Sequence, residues 1–393
     1  MLTNRQLFQN HLAQTSDSPL ALEIESAEGV YLKGSQGQNY LDLISGIGVS
    51  NIGHRHPKVI AAMEKQMQRH LHLMVYGEYI QAPQVKLAQA ICHLDNVFLV
   101  NSGSEAVEGA LKLAKRYTGK TKIVSCFNAY HGSSHGALSV CGDESLKQAY
   151  RPLMPAIGLI KYGKLDDLDR IDGYTAAVIV ETIQGEAGVR IASTEYFQAL
   201  RKRCTEVGCL LILDEIQCGY GRTGTFWAFE QFGIAPDILV CAKGMGGGMP
   251  IGAFISSRPI MQTLTQNPVL GHISTFGGHP LCAAAALATI EVIQEEKLTA
   301  DVEAKAELFK SCLQHELIRE IRHQGLMMAV EFDHYQVLKP IIDEAINLGV
   351  ITDWFLFCDN SMRIAPPLTI KNEQIVEACK IIIKAIENYR SKV

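Results

Sequence analysis

From about residue 97 to residue 256 the chain repeats one rhythm: a short apolar run ending in a polar residue or glycine, then a longer stretch with helical spacing. No other pattern narrows the fold as far, because this is how a sheet reads when its strands are joined through covering helices. The strands are expected at Val97–Val100, Lys122–Cys126, Ala176–Val180, Leu210–Leu213, Ile238–Cys241 and Gly252–Ser256. Each is apolar on both faces, as strands buried in a largely parallel sheet must be. Glu105–Tyr117 and Thr194–Val207 place apolar residues three and four apart and are expected as covering helices.

The flanks differ. Gly29, Gly34 and Gly37 punctuate alternating apolar positions near residues 21–45, which predicts a hairpin or small meander. After Leu281 come an Ala-rich helical stretch, a strand at Met327–Phe332 and a closing helix at Lys371–Tyr389. With 393 residues, more than one ordinary core supports, the expected division is an N-terminal segment (1–45), a large sheet domain (46–280) and a C-terminal part (281–393), the two ends forming a smaller lobe.

A formal charge of -5 and the lack of a Lys/Arg stripe exclude an electrostatic footprint for nucleic acid. The first twenty residues lack the apolar core of a signal peptide, and no apolar run reaches membrane-spanning length, so a cytoplasmic protein is expected. Eleven cysteines stand singly, mostly in apolar segments, which indicates neither a disulfide framework nor a zinc site. His131 and His135 have metal-ligand spacing, but Gly132 and Gly136 disfavour the helix that would align them.

Three features point to chemistry. Asn101-Ser102-Gly103-Ser104-Glu105 joins a strand to a helix, where free N–H groups and small residues suit a phosphate; the plainer reading is a capping box of Ser102 with Glu105. Asp214 ends the apolar run Leu210–Leu213, at the strand edge where open α/β sheets bind ligands. Lys243 follows the strand Ile238–Cys241, and a buried lysine there is an imine-forming amine. A phosphate cup, a carboxylate for a ring nitrogen and such a lysine are what a phosphorylated pyridine aldehyde requires. Tyr130-His131-Gly132 adds an aromatic face for the ring. Gly219-Tyr-Gly221-Arg-Thr-Gly224 satisfies the dinucleotide fingerprint, but no helical pattern continues through it.

These residues resemble the class III aminotransferases, the family of ornithine, acetylornithine and 4-aminobutyrate aminotransferases. The match runs from about Gly29 to Leu368 through Gly53-His-Arg-His-Pro57, Asn101–Ala106, Glu181-Thr-Ile-Gln-Gly-Glu-Ala-Gly188, Leu213–Gln217 with Gly221–Gly224, Ala242–Gly244, Thr275–Gly278 and Arg363-Ile-Ala-Pro-Pro-Leu368. The resemblance implies an α/β fold of type I and pyridoxal 5'-phosphate (PLP) as cofactor. It further implies transamination between an amino acid and a 2-oxo acid, in a homodimer with shared active sites. By the same resemblance Lys243 and Asp214 are catalytic. Ser102, Gly103 and Ser104 hold the phosphate, Tyr130 stacks on the ring, His131 and Glu181 line the cofactor, and Gln217 approaches the ring hydroxyl. Thr275 would reach the phosphate in the partner subunit. Arg363 would fork onto the substrate carboxylate, with Glu186 as its gate and Ser274 and Ser133 as further substrate contacts.

Ser133 is itself a departure, since ornithine and acetylornithine enzymes carry there an arginine for a second carboxylate, and a hydroxyl does not replace that fork. Smaller departures are His279 for the usual Asn and His323 for the usual Gly. An aminomutase, racemase or decarboxylase of the same fold would keep Lys243, Asp214 and the phosphate cup. The Glu186 and Arg363 pair favours transamination, which alone must admit two differently shaped substrates.

Overall fold

The computed structural model describes every residue except Met1, Val75, Gly77, Cys92, His93 and Val393. Its centre is a seven-stranded sheet ordered Asn96–Val100, Gly252–Ser256, Ile238–Cys241, Leu210–Asp214, Thr175–Glu181, Lys122–Cys126, Ile157–Ile160. Side chains along the inner strands alternate between two cores. Val178, Val180, Leu211 and Leu213 enter the larger, while Ala177, Ile179, Ile212 and Val240 enter the other with Val107, Leu111 and Ala114 of the helix Gly103–Thr118. Both faces are dry, so continuous apolar runs rather than polar alternation encode these strands.

One strand departs from the expected direction. Gly252–Ser256 runs antiparallel to both neighbours, Asn96–Val100 and Ile238–Cys241. The link from Cys241 to Gly252 is a short glycine-rich turn, too short for the helical crossover that a parallel strand needs. Two antiparallel pairings in succession return Asn96–Val100 to the direction of the other strands. The ends Asn101, Glu181, Asp214 and Ala242 therefore share one sheet edge, and Gly252 starts there.

Three N-terminal strands, Ile24–Glu28, Tyr31–Gly34 and Asn39–Asp42, form a meander to which Val350–Ile351 adds in parallel. A separate antiparallel sheet contains Glu320–Gln324, Met327–Glu331, Cys358–Ile364 and Asp353–Phe355. It presents Arg363 in register with Asp353. Among the described residues no helix is long and apolar enough to cross a membrane. Ten cysteines there are free, eight of them buried; Cys92 lies outside the described residues.

Candidate active site

A cavity of about 540 Å³ opens at the shared sheet edge, lined by Ser102, Gly103, Ser104, Tyr130, His131, Ser133, Glu181, Glu186, Asp214, Gln217 and Lys243, among others. Residues separated by more than a hundred positions meet there because each ends a strand of one sheet. Glu181 and Asp214 are register partners, and Asp214 pairs with Val240, three residues before Lys243.

Gly103 and Ser104 open the helix Gly103–Thr118, so the first turn's free N–H groups border the cavity. Ser102 Oγ accepts from Glu105 N at 3.2 Å, which is half of the expected capping box. The other half is replaced, because the Glu105 carboxylate accepts from Asn101 N and Nδ2 at 3.0 and 2.9 Å. Ser104 Oγ accepts from Ser133 N at 3.0 Å and ties the Tyr130–Ser133 turn to the start of this helix. Gly132, at φ 125°, is what allows this, since a Cβ there would fall 2.0 Å from Ser104 Oγ.

Asp214 is buried, with Oδ2 2.7 Å from His131 Nδ1 and Oδ1 accepting from Ile216 N at 3.0 Å. His131 Nε2 is buried without a hydrogen-bond partner among the described residues. Glu181 accepts from Tyr130 N and Gly185 N at 3.0 and 2.9 Å. Burial pushes its carboxyl up to about 7; His131 opposes the shift and Asp214 adds to it. Lys243 lines the cavity, and no hydrogen bond or ion pair to Nζ is found among the described residues. Burial pushes its ammonium below the ordinary range, against the pull of Glu186. Its backbone sits at φ 45°, in the left-handed region that side chains avoid, a strain typical of functional positions.

Beside the cavity Arg363 makes a two-pronged ion pair with Glu186, at 2.8 and 2.9 Å. Nε reaches Asp353 at 2.9 Å, and the guanidinium lies 4.4 Å from the centre of the Phe355 ring. Burial would raise the Glu186 pKa, but Arg363 prevails and holds it at about 2. Burial lifts Asp353 to about 6 against the same arginine. Gln217 Nε2 donates to Glu186 Oε1 at 3.3 Å.

Three of the expected residues stand off the cavity wall. Arg363 meets it only through Glu186. Ser274 Oγ accepts from Asn101 Nδ2 at 3.1 Å behind the cup. Thr275 is exposed, and its carbonyl lies 2.8 Å from His72 Nε2. The glycine-rich stretch 219–224 forms turns, and buried Arg222 bonds Asn51 and the Leu326 carbonyl, so it builds structure where a dinucleotide loop would stay open. The sequence did not point to Asp353, which carries no local signal, or to Ile183, Ile216 and Met249–Ile251, which supply the apolar walls.

This fold and this site define an enzyme of the PLP-dependent aminotransferase class. The profile of the family Aminotransferase class-III matches residues 12–386, and the chain belongs to that family. It is 39% identical over 335 residues to the [LysW]-aminoadipate semialdehyde/glutamate semialdehyde transaminase of Sulfurisphaera tokodaii, covering 83% of this chain and 86% of that one. It is 36% identical over 375 residues to the acetylornithine aminotransferase of Bacillus subtilis, covering 94% and 96%. The ornithine aminotransferase from Toxoplasma gondii, in a structure with partial occupancy of PLP at its active site, superimposes with a TM-score of 0.91 at 30% identity, covering 98% of this chain and 93% of that one.

Proposed function

We propose that the chain moves the terminal amino group of an ornithine-like donor such as N-acetylornithine to 2-oxoglutarate by a ping-pong cycle, with PLP held in the cavity at the sheet edge. The observation that carries this reading is the buried Glu186–Arg363 pair set against a cavity lined by Lys243, which has no ion-pair partner among the described residues. Closed, the pair hides the guanidinium from a donor that enters amine first; open, it offers a fork to an α-carboxylate.

The residues present fit PLP. The helix start at Gly103 and Ser104 suits its phosphate, and Asp214, oriented by His131, suits its ring nitrogen. When bound, the cofactor supplies an aldehyde for imine exchange and a ring that draws electrons from the substrate carbon. Asp214 would hold a proton on the ring nitrogen. Lys243, kept short of its usual proton affinity by burial, would carry one between carbons as a general base. Tyr130 and the apolar walls would exclude water from the ring's face.

Assembly as a homodimer in the cytoplasm belongs to the same proposal. Thr275 is flanked by exposed Ile273 and Phe276, and His72, which meets its carbonyl, by exposed Leu71 and Leu73, an apolar surface that suits a second copy. Ser133 favours a second reading, a class III enzyme with another amino donor, because Lys243 is the only lysine or arginine lining the cavity among the described residues.

Glu186→Ala tests the gate. Arg363 keeps Asp353 and the Trp354 carbonyl, so the fold should persist. The ratio of kcat/KM for ω-amino over α-amino donors is expected to fall about tenfold or more, the scale of one hydrogen bond to a charged group. An unchanged ratio would reduce the pair to a structural ion pair.

A further inference from the structure

Glu303 and Glu307 are one turn apart on the helix Val302–Cys312 and so share a face. That face meets His323 on the strand Glu320–Gln324. The imidazole is the fixed element, only 9% exposed, while the carboxylates are 61% and 56% exposed. Nε2 lies 3.2 Å from Glu307 Oε1. Nδ1 is buried without a hydrogen-bond partner among the described residues and lies 3.9 Å from Glu303 Oε1, too far to bond. One ligand atom from each residue falls within 4.8 Å of the others.

We propose that Glu303, Glu307 and His323 form a divalent transition-metal site, separate from the catalytic cavity, that clamps this helix to this strand. An imidazole with two carboxylates suits zinc and its neighbours. Ligands around a tetrahedral zinc sit roughly 3.4 Å apart, given metal–ligand bonds of about 2.1 Å. To close on an ion at Nδ1 the two exposed carboxylates would have to turn towards it, Glu307 giving up Nε2 and its 3.6 Å approach to Lys310. An ion at Nδ1 satisfies a polar atom that is otherwise buried bare. The clamp sits beside Gly325, packed so tightly that an added Cβ would fall 2.6 Å from Val302 and 2.7 Å from the Thr223 backbone. It therefore braces the turn that presses on the loop following Asp214.

The test is calorimetric titration of chelator-stripped, reduced holoenzyme with zinc chloride, with thermal unfolding alongside. One saturable zinc per chain is expected, with Tm rising about 4 °C at a hundredfold excess over Kd. His323→Gln and the double variant Glu303→Gln/Glu307→Gln, with unchanged circular dichroism, should each weaken that binding at least about tenfold. Zinc uptake identical in His323→Gln and the parent would place the metal elsewhere, on thiols or in the catalytic cavity, and overturn the proposal. So would the absence of saturable uptake by the parent.

Discussion

Lys243→Ala is expected to abolish transamination, with kcat falling by on the order of 10⁴-fold or more, because among the described residues the only lysine or arginine lining the cavity is also its only candidate imine-forming amine. The expected effect on stability runs the other way. No hydrogen bond or ion pair to Nζ is found among the described residues, so in the cofactor-free protein removal of this buried amine relieves desolvation and thermal unfolding should not move down. The backbone gives a second handle. At φ 45° glycine is at ease and alanine is not, so Lys243→Gly should be more stable than Lys243→Ala by roughly 1 kcal/mol while equally inactive. Retained turnover in either variant would displace Lys243 from the chemistry.

Asp214→Asn should lower kcat about 10³-fold and leave KM for the donor nearly unchanged, since Asp214 is proposed to meet the cofactor ring and not the donor. An amide keeps the size of the carboxylate but cannot hold a proton on a ring nitrogen. Its single carbonyl oxygen can also serve only one of the two groups that Asp214 meets, His131 Nδ1 at 2.7 Å or Ile216 N at 3.0 Å. The split is informative, because a merely structural Asp214 would show its loss in unfolding and expression rather than in kcat alone. Steady-state kinetics with cofactor content measured on the same preparation reads both.

Much of the central sheet was legible because its strands are apolar on both faces and bounded by polar or glycine residues. Lys122–Cys126, Ile238–Cys241 and Gly252–Ser256 fall at the expected residues. Ile157–Ile160 was missed. It is an edge strand, mostly half-buried and broken by Gly158, held by pairing with Lys122–Cys126 rather than by a pattern of its own. The reversed direction of Gly252–Ser256 was also invisible, since an apolar run reads the same either way. In the site, the placement of the Asn101–Glu105 turn, Asp214 and Lys243 at one sheet edge could be read because each lies where a strand ends. The network around Arg363 could not be read in full. Glu186 and Arg363 were paired by family resemblance, but Asp353 enters only through the register of two short strands. The cluster at His323 was similarly hidden, its ligands coming from a helix and a strand separated by a loop.

The most direct measurement is a half-reaction titration, following the visible absorbance of the PLP-loaded enzyme as N-acetylornithine, ornithine, 4-aminobutyrate, lysine and glutamate are added singly, with no oxo acid present. N-acetylornithine or ornithine is expected to bleach the band stoichiometrically, and 2-oxoglutarate then to restore it. A band that persists with both of those donors, or that bleaches only when an oxo acid is added at the same time, would overturn the ornithine-type aminotransferase reading.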